Sequence, residues 1–573
     1  MKALPRHLQK YIVEQDYGKY SPLDHAVWRF ILRQLRAYLS THAHESYLSG
    51  LEKTGIEIEK IPSIADISAK LEKFGWRALP VSGFIPPAAF MELQSLGVLP
   101  IASDMRSLEH LTYTPAPDIV HEAAGHAPII ANPEFAEYLK QYAQVAKKAI
   151  INKKDLKQYE AIRKLSDLKE SASSTEMEIA EAQKELEVVS SEMGEASEAG
   201  ELSRMNWWTA EYGLVGSLEK PRIFGAGLLS SVGESKLCLS AKVKKIPLTV
   251  DCIKQGYDIT EPQPQLFVAK DFKHLSEVLE EMADGMAFRV GGEKAFQKAM
   301  KAETVNTIEL ESGLQISGEW KENIGNHFVK AIGHCQLSYN DQELPGHGSS
   351  AHSHGFSTPL GDWVSRPGQS PAEFTEADLR NLGVEVGNDV GIKFVSGFNV
   401  SGVVTGHLFK DGKLLLISFK DCKVTYQSKV YFEPSWGTFD MAVGTKIVSV
   451  FGGPADSAAY GERDDFVAAR VPPRKYSDSE KLLFNQYAKL RELREKMLKG
   501  PELVQALKEI ESVLDESFDE DWLLRLEMLE LLIARGGNAQ RTQQVRDHLE
   551  KMASESGAAG ESIRDGLALA GQL

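Results

Sequence analysis

Cysteine is scarce: the 573 residues hold four, Cys238, Cys252, Cys335 and Cys422. None forms a CxxC pair, which argues against a disulfide framework or a thiolate zinc ribbon. So few cysteines fit a reducing compartment, with the thiols buried as small apolar groups. No run of about 18 uncharged apolar residues occurs, so the sequence offers no candidate spanning helix. The first residues, MKALPRHLQKYIVEQ, lack the apolar centre of a signal peptide. A cytoplasmic location and no membrane partner are the expectations. A long block of Lys or Arg is also missing, and 65 basic against 81 acidic residues give a net charge of −16. That balance opposes sequence-independent nucleic-acid binding, so no nucleic-acid partner is expected. No internal repeat is visible.

What is present is an ordinary globular mix, 42% hydrophobic and 25% charged. The length suggests about four domains. Up to about residue 300 the pattern is mostly helical. Val27, Phe30, Ile31, Leu35 and Tyr38 recur on one helical face, and Ser63 after Pro62 suits an N-cap. Residues 151–205 interrupt this pattern with eight Lys/Arg and thirteen Asp/Glu. They suggest a solvated helical hairpin that ends in a flexible acidic link around SSEMGEASEAGE. From 301 to 470, β-branched residues alternate with Gly, Asn and Asp turn signals. Lys410-Asp411-Gly412-Lys413 reads as a hairpin turn. From 477 to 555 helical stripes return, including Leu503, Leu507, Ile510 and Leu514. Residues 556–573 are small and polar, which suggests a frayed tail.

The most informative stretch is Pro117-Asp118-Ile119-Val120-His121-Glu122-Ala123-Ala124-Gly125-His126-Ala127-Pro128. Two histidines and a carboxylate this close suggest a metal. The zinc-protease motif HExxH sets its histidines four apart, about 40° around a helix. Here they are five apart, about 140° on a regular helix. Either the helix is distorted near Gly125, or Glu122 and His126 are the ligands. Spacing alone leans to the second. A zinc hydrolase with Glu122 as base and a plain carbonyl-capping role for the histidines are further readings.

This stretch resembles the signature of the pterin-dependent aromatic amino acid hydroxylases, in which Pro-Asp, His-Glu, Gly-His and Pro recur at these spacings. Asn206-Trp207-Trp208-Thr209-Ala210-Glu211-Tyr212-Gly213 resembles a second block of that family, and Phe224-Gly225-Ala226-Gly227 through Ser230 and Glu234 a third. Arg77, Leu79 to Gly83, Tyr113-Thr114-Pro115 and Asp24 to Trp28 also align, so the likeness spans roughly 12–275.

The resemblance implies a monooxygenase using iron(II), a tetrahydropterin and O2. It implies His121, His126 and Glu211 as a facial triad on iron, which leaves open positions. Glu122 would face the pterin as a catalytic residue, and Gly83, Ile85 and Phe90 would help to hold it. Arg106 would grip the amino acid carboxylate, with Asp118 orienting it. Thr114 and Ser230 would lie near the same group, and Trp207 against the substrate ring. Asn206 stands where an aromatic residue is usual, which points to a wider or more polar ring pocket. Phenylalanine is the first expectation for the substrate. Tyrosine and tryptophan are alternatives, and a non-catalytic amino acid or pterin sensor is a reading of another class. The segment before residue 12 is too short for a regulatory domain.

The fold class expected is therefore multidomain: a mainly α catalytic domain over 1–300, a small antiparallel β domain over 301–470, and a C-terminal helical region. Outside the resemblance, His347, His352 and His354 fall within eight residues of a Gly/Ser loop. A metal site, a solvent loop and an active-site lid are all compatible with them.

Overall fold

The computed structural model describes residues 4–82, 85–111, 117–170, 174–258, 261–461, 476–535, 538–555 and 557–571. Gly83, Tyr113, Thr114 and Pro115 lie outside the described residues.

Helix α1 (Pro22–His42) starts at a capping box: the Ser21 hydroxyl accepts from the Asp24 N–H at 3.1 Å, and the Asp24 carboxylate accepts from the Ser21 N–H at 2.7 Å. Val27, Trp28, Ile31 and Leu35 of α1 are fully or almost fully buried. Arg29 is buried with them, at 1% exposure, which makes α1 an interior helix with a charge to neutralise. Strands β1 (Arg77–Val81) and β2 (Val98–Ala102) pair in parallel, with Arg77 opposite Val98. Strand β2 is buried along its length and packs against the turn Val120–His126.

The acidic stretch folds as helices α2 (Lys153–Glu170) and α3 (Glu176–Ser191), an exposed hairpin. Residues 192–197 form the link after it, and the end of the acidic run starts helix α4 (Glu198–Asn206), capped by Ser197. Glu198 is 4% exposed. Its carboxylate accepts from the Ala287 N–H at 2.8 Å, the Ile150 N–H at 3.3 Å and the Lys298 ammonium at 2.8 Å. Those donors lie outside the stretch, so its composition could not reveal them. Strands β3 (Leu214–Gly216), β4 (Pro221–Ile223), β5 (Lys244–Pro247) and β6 (Gln265–Ala269) form a small mixed sheet beyond α4.

The β-rich part holds two antiparallel sheets. The first contains β7 (Val305–Leu310), β8 (Leu314–Asn323), β9 (Phe328–Tyr339), β10 (Gln342–Glu343), β11 (Gly355–Pro359) and, added last in sequence, β17 (Ile447–Gly452). The second contains β12 (Asp389–Lys393), β13 (Phe398–Lys410), β14 (Lys413–Tyr426), β15 (Lys429–Phe432) and β16 (Phe439–Ala442). Asp411 and Gly412 close the β13–β14 hairpin at φ 46° and 78°, the two positive angles of a type I′ turn. All four cysteines are buried and unpaired, and burial pushes each thiol up to about 12.

The last helices are α5 (Asp478–Glu495), α6 (Gly500–Ser517), α7 (Trp522–Ala534), α8 (Ala539–Glu555) and α9 (Gly557–Ala570). They do not build a core of their own. Leu503, Leu507, Leu524 and Leu529 belong to the same apolar cluster as Trp28 and Ile31 of α1. Arg29 donates to Glu527 of α7 through Nε at 2.5 Å and Nη2 at 2.8 Å. Arg33 pairs with Glu530 beside it, and Arg494 reaches Glu530 at 2.8 Å. The frayed tail expected over 556–573 is corrected by α9, where Ile563, Leu567 and Ala570 are buried. Their spacing makes an apolar stripe, and Gly566 admits it: a Cβ there would lie 2.3 Å from Leu526 Cδ2. Among the described residues, no helix is long and apolar enough to cross a membrane.

Candidate metal centre

Val120–His126 is a π-helical turn. With about 4.4 residues per turn, residues five apart return to roughly the same face. The 140° argument against His121 and His126 therefore fails because the helix is wide, as the first of the two sequence options allowed. Gly125 makes this geometry possible, since a Cβ there would lie 2.6 Å from the Ala226 carbonyl oxygen. A second π turn, Trp207–Glu211, presents Glu211 and is closed by the Tyr212 N–H donating to the Trp207 carbonyl at 2.8 Å.

The two turns bring three donors together. Glu211 Oε2 lies 3.2 Å from His121 Nε2, and Oε1 lies 3.2 Å from His126 Nε2. One ligand atom from each residue lies within 4.8 Å of the others. Two imidazoles and a carboxylate with this spacing fit a divalent transition metal such as iron(II). Burial opposes a charge on His126, but Glu211 outweighs it and raises His126 to about 9. Burial would raise the Glu211 carboxyl, yet the two histidines hold it far below the usual carboxylate range.

Supporting contacts hold two of the three candidate donors, His121 and Glu211. Ser230 donates its hydroxyl to the Ala226 carbonyl at 2.7 Å, so its oxygen accepts from His121 Nδ1–H at 3.1 Å. That assigns the proton to Nδ1 and turns Nε2 toward the metal position. The Asn206 amide donates to Glu211 Oε1 at 3.5 Å, a long contact across the second π turn. Asn206 was noted in the sequence only as a missing aromatic; its place beside Glu211 needed the fold.

Arg106 is 5% exposed and forks onto Asp118, with Nε to Oδ2 at 2.8 Å and Nη2 to Oδ1 at 2.7 Å. Asp118 also accepts from the His121 N–H at 3.0 Å, which ties the arginine to the metal turn. Burial would raise the Asp118 carboxyl, but the Arg106 charge and these hydrogen bonds hold it below its ordinary value. The Nε–Nη2 edge is thus used internally. The remaining edge, from which Nη1 donates to the Ser230 carbonyl at 3.3 Å, is the one left for another carboxylate.

Glu122 is buried, and among the described residues its Oε2 has no hydrogen-bond partner. Burial raises its carboxyl, against the opposing pull of His126 and His121. Ile85 and Phe90 belong to a small apolar cluster with Leu8, Tyr11 and Val81. Trp207 stacks on Tyr212 with ring centroids 4.5 Å apart and on Tyr257 at 4.3 Å. Tyr257 escaped sequence reading because it sits far along the chain in no motif. Gly83 and Thr114 fall outside the described residues.

Residues 10–157 and 172–314 match the profile of the biopterin-dependent aromatic amino acid hydroxylases. The phenylalanine-4-hydroxylase of Mesorhizobium japonicum is 29% identical over 299 residues, covering 52% of this chain and 91% of the relative. That of Pseudomonas aeruginosa is 29% identical over 270 residues, covering 47% and 86%. The iron- and phenylalanine-bound structure of Chromobacterium violaceum phenylalanine hydroxylase has a TM-score of 0.37 at 25% identity, covering 49% of this chain and 89% of that one. The unmatched gap falls within and just after α2, so the family's profile resumes inside the acidic stretch. The matched segments span just over half of the chain and carry all three converging donors: the chain belongs to the biopterin-dependent aromatic amino acid hydroxylase family.

Proposed function

We propose that this pterin-dependent aromatic amino acid monooxygenase converts L-phenylalanine to L-tyrosine, with iron(II) held by His121, His126 and Glu211. The observation that carries the reading is the convergence of those three donors within the segment matched to the family. Phenylalanine is favoured over tyrosine and tryptophan because the relatives named above are phenylalanine-4-hydroxylases.

When bound, iron(II) and tetrahydropterin supply the electrons that reduce O2 and so make ring hydroxylation possible. The chain supplies binding, orientation and a dry surround. His121, His126 and Glu211 would hold the metal by three protein donors, which would leave positions for exchangeable partners. Ser230 holds His121 in the ligating tautomer. Arg106, kept rigid by Asp118, offers its remaining edge to the substrate carboxylate, with Ser230 beside it. Glu122 offers its Oε2, which has no hydrogen-bond partner among the described residues, to pterin N–H donors, with Ile85 and Phe90 completing the pterin cradle. Trp207, stiffened by Tyr212 and Tyr257, limits water near the ring.

The test is product analysis with phenylalanine, tyrosine and tryptophan in parallel, each with iron(II), tetrahydropterin and O2. Tyrosine formed from phenylalanine with the highest kcat/KM is the expected result. A higher kcat/KM for tryptophan or tyrosine would overturn the substrate, and full turnover by His121→Ala would overturn the ligand set.

A further inference from the structure

Outside the hydroxylase centre, a second group of three donors converges in the β-rich part. His347 and His352 come from the loop after β10, and Asp440 from β16. His347 Nδ1 lies 3.2 Å from His352 Nε2. Asp440 Oδ2 lies 3.7 Å from the first nitrogen and 3.9 Å from the second. All three side chains are only 12–16% exposed. His354, the third histidine of the sequence motif, is not in the group.

The distances are informative. At 3.7 and 3.9 Å the carboxylate is too far from either imidazole for a hydrogen bond. Donors around a tetrahedral ion at about 2.0–2.1 Å stand roughly 3.3–3.5 Å apart, the spacing of this cluster to within a small closure. Among the described residues, no Lys or Arg is paired with Asp440.

The surroundings hold the donors in place. Ser418, opposite Asp440 in the β14–β16 pairing, donates its hydroxyl to Asp440 Oδ1 at 2.5 Å and leaves Oδ2 for the histidines. The loop backbone is pinned to β9, where Leu337 N–H donates to the His347 carbonyl at 2.9 Å and Cys335 N–H to the His352 carbonyl at 3.0 Å. The imidazoles stack with planes 12° apart, and His352 meets the edge of Phe356. A carboxylate oriented by a second group and imidazoles fixed by their backbone are what a metal site requires beyond its ligands.

We propose that His347, His352 and Asp440 bind a second divalent metal ion, of the zinc(II) type, independent of the hydroxylase iron. The histidine loop belongs to the first β sheet and Asp440 to the second, so the ion clasps the two sheets together. Three protein ligands leave one position for water.

The experiment uses the full chain with His121→Ala and Glu211→Gln, which silences the hydroxylase centre. After chelator stripping, zinc(II) is titrated against a chromophoric competitor. One equivalent is expected. Adding His352→Gln, or separately Asp440→Asn, should abolish it or weaken it at least tenfold. No zinc bound in the silenced background, or unchanged binding after both substitutions, overturns the proposal. Should a variant fail to fold, cobalt(II) titration of the stripped unsubstituted chain decides. Two equivalents, the second with intense tetrahedral d–d absorption, are expected, and a single equivalent refutes the site.

Discussion

A Glu527→Gln variant removes one charge from a buried pair and leaves the Arg29 guanidinium unneutralised in the core. Arg29 and Glu527 are 1% and 3% exposed, and Arg29 also donates to the Glu59 carbonyl at 3.1 Å. Burial would raise the Glu527 carboxyl, but Arg29, Arg494 and Arg33 hold it down at about 2 against an ordinary 4.5. A shift of that size corresponds to about 3 kcal/mol of stability. Breaking a buried pair on one side costs about 3–5 kcal/mol on independent grounds. Together they translate to a Tm lower by roughly 3–6 °C for a unit this large. The sign of the pH effect follows. The folded pKa is depressed, so the contribution is present above pH 4.5 and fades as pH falls towards 2. The assay is thermal unfolding of both proteins between pH 7 and pH 3. Their Tm difference should shrink as pH drops through that window. An Arg29→Met/Glu527→Leu double variant should recover most of the loss, because apolar replacement removes both desolvation penalties. A Glu527→Gln protein that melts with the unsubstituted chain at pH 7 would refute the reasoning.

Three other outcomes can be checked directly. Ser230→Ala frees His121 Nδ1, and iron affinity measured by chelator competition should fall by about 10–100-fold with the fold intact by circular dichroism. Gly125→Ala forces a Cβ against the Ala226 carbonyl, so iron content and turnover should fall together, whereas Gly256→Ala, which meets nothing within 4 Å, should leave both unchanged. Ending the chain at residue 476 strips from α1 the cover over Phe30, which meets Trp522 edge-on, and the partners of Arg29 and Arg33, so the truncated protein should aggregate or bind a hydrophobic dye strongly.

The candidate ligands were legible through the family resemblance: its motifs named His121, His126 and Glu211 before any geometry was known, and the fold brings the three together. Helical periodicity pointed to the wrong pair, because it assumes 3.6 residues per turn and Val120–His126 does not have them. Strand and turn chemistry located the β13–β14 hairpin, since Asp411-Gly412 states a local preference. What stayed hidden was decided by distant partners. Glu198 looks solvated until Ile150, Ala287 and Lys298 surround it, and Asp440 has no mark in sequence that joins it to a histidine loop on another sheet. Gly566 reads as tail until Leu526 is beside it.

The wide turn also defines a mutational distance. Loss of one codon, that of Ala124, would leave His-Glu-Ala-Gly-His, the spacing at which an ordinary α-helix already aligns two histidines. In ligand terms, this oxygenase helix stands one deletion away from a zinc-hydrolase helix. The obstacle is steric and lies on another element. With the helix anchored at its start, the deletion would move His126 into the place of Gly125, where the Ala226 carbonyl admits no Cβ. The carbonyl that makes the glycine necessary therefore also guards the length of the turn.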